Sequence, residues 1–248
     1  MYYYLQTQNE RIIMDIELFL KYFARILTLL LVIPLHEAAH ALVAKWCGDD
    51  TATRQGRVSL NPFDHIDPTG SLLMILTGFG WARPVDVNPA RMRHPRRDMA
   101  LTAIAGPVSN LIAAFAAGLV KACILATDDG MKAYMEYVLT DKITTTYCVM
   151  LLMEFLMIVN IGLAVFNLIP IPPLDGFNVM RYFTGAKVDR WFYEHYREIQ
   201  IGFLVFILVL NMGLIPDKYN LLLEVRSKIY NGMWDILYKI PEHKWNNN

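Results

Sequence analysis

Residues 36–40 read His-Glu-Ala-Ala-His. On an α-helix, positions i and i+4 lie on one face about one turn apart, so His36 and His40 can offer two imidazole nitrogens to one Zn²⁺. Glu37, one residue on, is close enough to accept a proton from a metal-bound water. Zinc lowers the pKa of that water from about 15.7 toward about 7, which makes hydroxide available at neutral pH. Two histidines leave the ion short, because catalytic zinc usually takes three protein ligands plus water. A candidate third ligand stands in the segment NLIPIPPLDG, residues 167–176. Pro170, Pro172 and Pro173 cannot continue a helix there, and Gly176 lets the backbone turn tightly. Asp175 is therefore a carboxylate in a broken-helix segment.

These groups have to be positioned by unusually apolar elements. The chain has 248 residues, of which 55% are hydrophobic and 19% charged, against about 25% charged in an ordinary soluble domain. The deficit is concentrated in four runs, 26–46, 99–126, 147–170 and 199–215. Each approaches the roughly 20 apolar residues that a helix needs to cross a bilayer core. A fifth run, 71–81, is half that length and punctuated by glycine. It reads as a re-entrant or hairpin segment, which is tolerated at membrane depth only where protein or water covers its backbone. The expected fold is an all-α membrane protein with about four transmembrane helices plus this re-entrant segment. The HEAAH sequence lies inside the first span, where ionisable side chains cost a few kcal/mol each and mark functional sites by default. Pro34, just before it, removes a backbone hydrogen bond and can kink the helix or open a pocket.

Direction along the chain tests the zinc reading. The first and third spans cross the membrane in the same sense, so HEAAH, Asn167 and Asp175 fall near the same face. Four crossings put both termini on the opposite side. The basic cluster RMRHPRR at 91–97 makes the face carrying the motifs the cytoplasmic one by the positive-inside rule. Zero net charge argues against a nucleic-acid partner, since nucleic-acid-binding domains are usually basic. Three cysteines, Cys47, Cys123 and Cys148, form neither a CxxC pair nor a disulfide framework. The N-terminus lacks the pattern of a removable signal peptide, and Tyr2, Tyr3 and Tyr4 suit the headgroup level. The chain divides into a juxtamembrane segment (1–25), a membrane domain (26–216) and an amphipathic tail (217–248). That tail reads as lying on the membrane surface, packing beneath the bundle, or forming a solvated amphipathic helix.

Taken together, HEAAH (36–40), NPFDHIDPTG (61–70), GFGWARPVDVNP (78–89) and NLIPIPPLDG (167–176) resemble the site-2 protease family of intramembrane zinc metalloproteases. The likeness is greatest to its compact subgroup without PDZ or CBS domains. The resemblance implies one zinc per chain held by His36, His40 and Asp175, with Glu37 as general base and acid. It implies that Asn167 steadies the oxyanion or the substrate backbone, which suits an amide donor. It also implies a three-helix catalytic core that cleaves the transmembrane helices of other proteins. The expected partners are single-span or other membrane-protein substrates and the lipid bilayer of a prokaryotic cell membrane.

Other polar residues carry two readings. His65 either lines the site, as a transient ligand or substrate-positioning group, or is a loop histidine bonded to Asp64, Asp67 or backbone. Residues 71–89 can form a hairpin whose edge pairs with an unwound substrate strand. Gly106-Pro107 and the small residues Ala113, Ala114, Ala117 and Gly118 read as packing features. Glu154 is a costly carboxylate inside the third span with no evident partner. A metal transporter using the same three ligands is the rival reading, although the inverted repeats common in transporters are absent from this sequence. A protein that only grips transmembrane helices would have no need of Glu37.

Overall fold

The computed structural model describes residues 18–77, 80–211 and 220–246. Tyr2–Tyr4, part of the glycine-rich turn at 78–79 and the end of the fourth apolar run lie outside the described residues. Three helices among those described are long and apolar enough to cross a membrane: α1 (Leu18–Trp46), α3 (Pro95–Leu125) and α5 (Thr145–Asn167). The fourth apolar run begins in α8 (Tyr196–Asn211) and continues beyond the described residues. There is no β-strand among the described residues.

Within α1, residues Thr28–Val32 form a π-helical turn, and the α-helix resumes at Ile33–Trp46 with Pro34 in its first turn. Pro34 lacks the N–H that would continue the helical ladder at this point. The expected disturbance is thus taken up by a widened turn just before the histidine pair. The end of α1 is stitched to the start of α3, since the Arg93 amide donates to the Cys47 carbonyl at 3.1 Å. The two helices therefore run antiparallel. Asp50, next to this junction, is held below the usual carboxylate range by hydrogen bonds from Arg54 and Arg91.

The small residues of α3 let its neighbours come close. Ala114 and Ala117 pack with Met157 and Ile161 of α5, and Leu237 of α9 (Leu221–Leu237) lies against Gly118. The tail helix α9 thus lays Ile229, Tyr230 and Met233 on the α3–α5 core, so an apolar stripe of its amphipathic pattern packs against the bundle. It also resolves the isolated carboxylate of the third span. Glu154 accepts from Lys121 of α3 at 2.8 Å and from the Tyr230 hydroxyl of α9 at 2.7 Å. A charge at membrane depth is tolerable when paired and hydrogen-bonded, and this triad ties the tail to two spans.

The fifth apolar run is not a β-hairpin. Pro68–Thr77 forms a short helix, α2, and residues 80–88 return along it as extended chain without strand pairing. Gly70 and Gly80 make the return possible, because a Cβ on Gly70 would lie 2.2 Å from the Trp81 carbonyl and one on Gly80 2.1 Å from that of Gly70. The Arg25 guanidinium donates to the carbonyl of Ile75 at 2.7 Å, satisfying an acceptor that the end of α2 leaves open.

Candidate active site and metal centre

The HEAAH turn of α1 faces α3 and the start of α6 (Asp175–Phe183). His36 Nε2 and His40 Nε2 lie 3.0 Å apart. The Oδ2 of Asp175 is 3.3 Å from the first and 3.4 Å from the second. Zinc–ligand bonds of about 2.0–2.1 Å at tetrahedral angles place neighbouring ligand atoms about 3.3 Å apart, so this triangle has the size that a zinc ion requires. Its chemistry fits too. Asp175 Oδ2 is buried without a hydrogen-bond partner, and neutral imidazoles would turn lone pairs toward it. Three electron-rich atoms at such distances need a proton or a cation between them. Among the described residues, His36, His40 and Asp175 are the group able to hold a metal in this way.

Three residues of α3 and α6 shape this triangle. The Nδ1 of His40 donates to the Thr102 carbonyl at 2.7 Å, which fixes the tautomer whose Nε2 lone pair is free for a metal. Gly106 lies directly beneath the rings; a Cβ there would sit 2.4 Å from His40 Nε2 and 2.6 Å from His36 Nε2. Its role is therefore to make room for the histidine pair, beyond general helix packing. Asp175 stands in the first turn of α6, preceded by Leu174 in extended conformation, because the three prolines end α5 and swing the chain back toward α1.

Glu37 is half-buried beside the triangle, and its Oε2 accepts from the Val85 amide at 3.0 Å. The extended segment 80–88 therefore runs across the site. It is fixed at several further points: the Arg83 amide donates to the His65 carbonyl at 2.8 Å, Arg57 donates to the Pro84 carbonyl at 3.3 Å, and the Asn88 amide donates to the fully buried Asp49 at 2.6 Å. The Val87 N–H makes no hydrogen bond within the described structure. None of these contacts has a signal in the local sequence, since each joins residues 18 or more positions apart.

Asn167 is the last residue of α5 and lines the same cavity as His36, Glu37, His40 and Asp175. His65 does not join the metal group. It is completely buried, with Nε2 bonded to the Ser59 carbonyl at 2.8 Å, and its own carbonyl supports the extended segment. The cavity has a volume of about 1580 Å³ and reaches from Asp175 along α1 to Lys21, walled by α5 and the start of α9. That exceeds the roughly 300–1,000 Å³ of ordinary small-molecule sites.

Comparison with known proteins places the chain in a family. The family model of peptidase family M50 matches residues 24–210. The chain is 39% identical over 186 residues to the protein YwhC of Bacillus subtilis (strain 168), whose name provisionally designates it a zinc metalloprotease; the match covers 74% of this chain and 78% of that protein. No solved structure matches the chain at comparable stringency. The family match spans most of the chain, from within α1 through the whole of α3 and α5, so the chain is a membrane zinc metalloprotease belonging to peptidase family M50, the site-2 protease family.

Proposed function

We propose that this enzyme hydrolyses peptide bonds within or near the transmembrane segments of other membrane proteins, in the manner of regulated intramembrane proteolysis. The observation that carries the reading is the location of the metal group: two of its members lie inside the membrane-length helix α1, on a cavity larger than ordinary small-molecule sites. His36, His40 and Asp175 would hold one zinc per chain. When bound, zinc would polarise the scissile carbonyl and make water nucleophilic at neutral pH.

The remaining chemistry belongs to the chain's own side chains. Glu37 takes a proton from the attacking water on its carboxylate and later delivers it to the leaving amine. The Asn167 amide donates a hydrogen bond to the developing oxyanion. A helical substrate hides its scissile carbonyl in an i→i−4 hydrogen bond, so it has to unwind before reaction. The extended segment 80–88 offers backbone groups that an unwound chain can pair with, as in strand addition. The basic cluster at 91–97 favours an active site near the cytoplasmic face of a prokaryotic cell membrane.

Purified protein in detergent, incubated with a panel of single-span substrates, is expected to cleave at least one of them and to stop when a chelator is added. Zinc uptake into sealed proteoliposomes without cleavage would favour transport, and chelator-insensitive substrate binding would favour a non-proteolytic grip. The pairing edge has its own check. Val87→Pro removes an N–H that nothing within the described protein uses, and is expected to slow cleavage at least about tenfold relative to Val87→Ala, the loss of roughly one hydrogen bond to substrate. Equal rates for the two variants would count against substrate pairing at that position.

A further inference from the structure

The two histidines of the metal group are unequally supported. A histidine that binds a metal through Nε2 carries its proton on Nδ1, and in metal sites it almost always gives that proton to an acceptor. His40 has its acceptor in the Thr102 carbonyl, whereas His36 Nδ1 is buried with no partner. On the facing helix α3, Asn110 is only 1% exposed, and both its amide oxygen and its amide nitrogen are buried without partners. Leaving buried polar groups without partners is destabilising, and both His36 and Asn110 line the same cavity.

The register of the helices relates these two orphans. α1 and α3 run antiparallel; Thr102 meets His40, and Gly106, one turn on, underlies both rings. Successive turns of α3 therefore progress from the level of His40 toward that of His36. Asn110 is the next residue on that face, four positions and about 6 Å farther along the axis. Helical side chains lean toward the N-terminus of their own helix, which carries the His36 ring toward the level where Asn110 stands.

We propose that Asn110 is the positioning residue of His36: its Oδ1 accepts the Nδ1–H of His36 when the metal is bound, as the Thr102 carbonyl does for His40. The inference rests on the zinc reading of His36, His40 and Asp175. It explains why a buried primary amide stands in this stretch of α3, and it makes Asn110 part of the support of the metal rather than of helix packing.

Zinc affinity, measured in detergent by competition with a chromogenic chelator, tests it independently of any substrate. Asn110→Leu is expected to bind zinc 10–100-fold more weakly, the usual cost of losing an outer partner of a ligand. Asn110→Asp keeps an acceptor and is expected to bind at least as tightly as wild type. Unchanged affinity in Asn110→Leu, or equal losses in both variants, would overturn the assignment. In zinc-loaded protein labelled with [¹⁵N]histidine, two protected Nδ1–H signals are expected from the ligands. Asn110→Leu should lose one and keep the Thr102-bonded one, and retention of both overturns the proposal. If Asn110→Leu does not fold, Asn110→Asp must shift one of the two signals and not the other; no shift overturns it. Wild-type protein that takes up no zinc refutes the metal reading as well, whereas normal uptake with an indifferent Asn110→Leu refutes this inference alone.

Discussion

Glu37→Gln is expected to retain zinc at the wild-type level and to lose cleavage by about 10²–10⁴-fold, the range over which a general acid–base group contributes. The substitution is close to isosteric. The glutamine keeps a side-chain oxygen, so the hydrogen bond that Glu37 Oε2 accepts from the Val85 amide survives and the extended segment stays across the site. Glu37 is not one of the three converging ligand atoms, so the metal triangle is untouched. What is removed is the ability to take up a proton and release it again. Asp175→Ala separates the two roles from the other side. It deletes a corner of the triangle that lies 3.3 and 3.4 Å from the two histidine nitrogens, and its zinc affinity should fall by more than the 10–100-fold typical of outer partners. Zinc content by mass spectrometry and cleavage of one substrate, measured on both variants, decide the matter. Normal cleavage by Glu37→Gln would end the assignment of Glu37 as the proton carrier.

What the sequence made legible follows from range. HEAAH is a local pattern, and helical periodicity alone puts His36 and His40 on one face. Asp175 could be joined to them only by counting spans, because two elements crossing in the same direction must end on the same side. The structure brings its carboxylate to both imidazoles. The contacts that hold this arrangement were not legible, because they join residues distant along the chain through groups with no distinctive spacing. Thr102 contributes a backbone carbonyl, which every residue has. Gly106 contributes the absence of a side chain, which reads as flexibility until the rings above it are seen. Glu154 looked unpartnered because Lys121 lies in another span and Tyr230 in a tail whose amphipathic pattern suited a lipid surface equally well. Residues 71–89 carried a correct signal for a chain reversal, yet α2 is helical. Apolar runs of that length do not distinguish strand from helix by periodicity.

Gly106→Ala is expected to abolish stoichiometric zinc binding without unfolding the protein. In the middle of α3, alanine is a better helix former than glycine by roughly 0.8–1 kcal/mol, so local propensity alone predicts a gain in stability. The obstacle lies across the helix interface. The new methyl would stand 2.4 Å from His40 Nε2 and 2.5 Å from His36 Cε1, and ordinary carbon contacts need about 3.5 Å or more. One or both rings would have to retreat by about 1 Å. In zinc-free protein they can do so by moving into the adjoining cavity, which leaves the fold intact. With zinc present they cannot, because each is tied to a shared ion at about 2.0–2.1 Å and His40 is also held by Thr102. The penalty therefore falls on the metal-bound state. Zinc affinity should drop by at least about 100-fold, more than for an outer partner of a ligand, and cleavage should drop with it, while the thermal midpoint of zinc-free protein stays level or rises. Gly118→Ala is the matching control on the same helix. Its methyl would approach the end of the flexible Leu237 side chain at 2.7 Å, which can swing aside, so zinc binding should be unaffected. Full zinc occupancy in Gly106→Ala would mean that the histidine pair does not need the close approach of α3, and the geometry assigned to the metal centre would have to be abandoned.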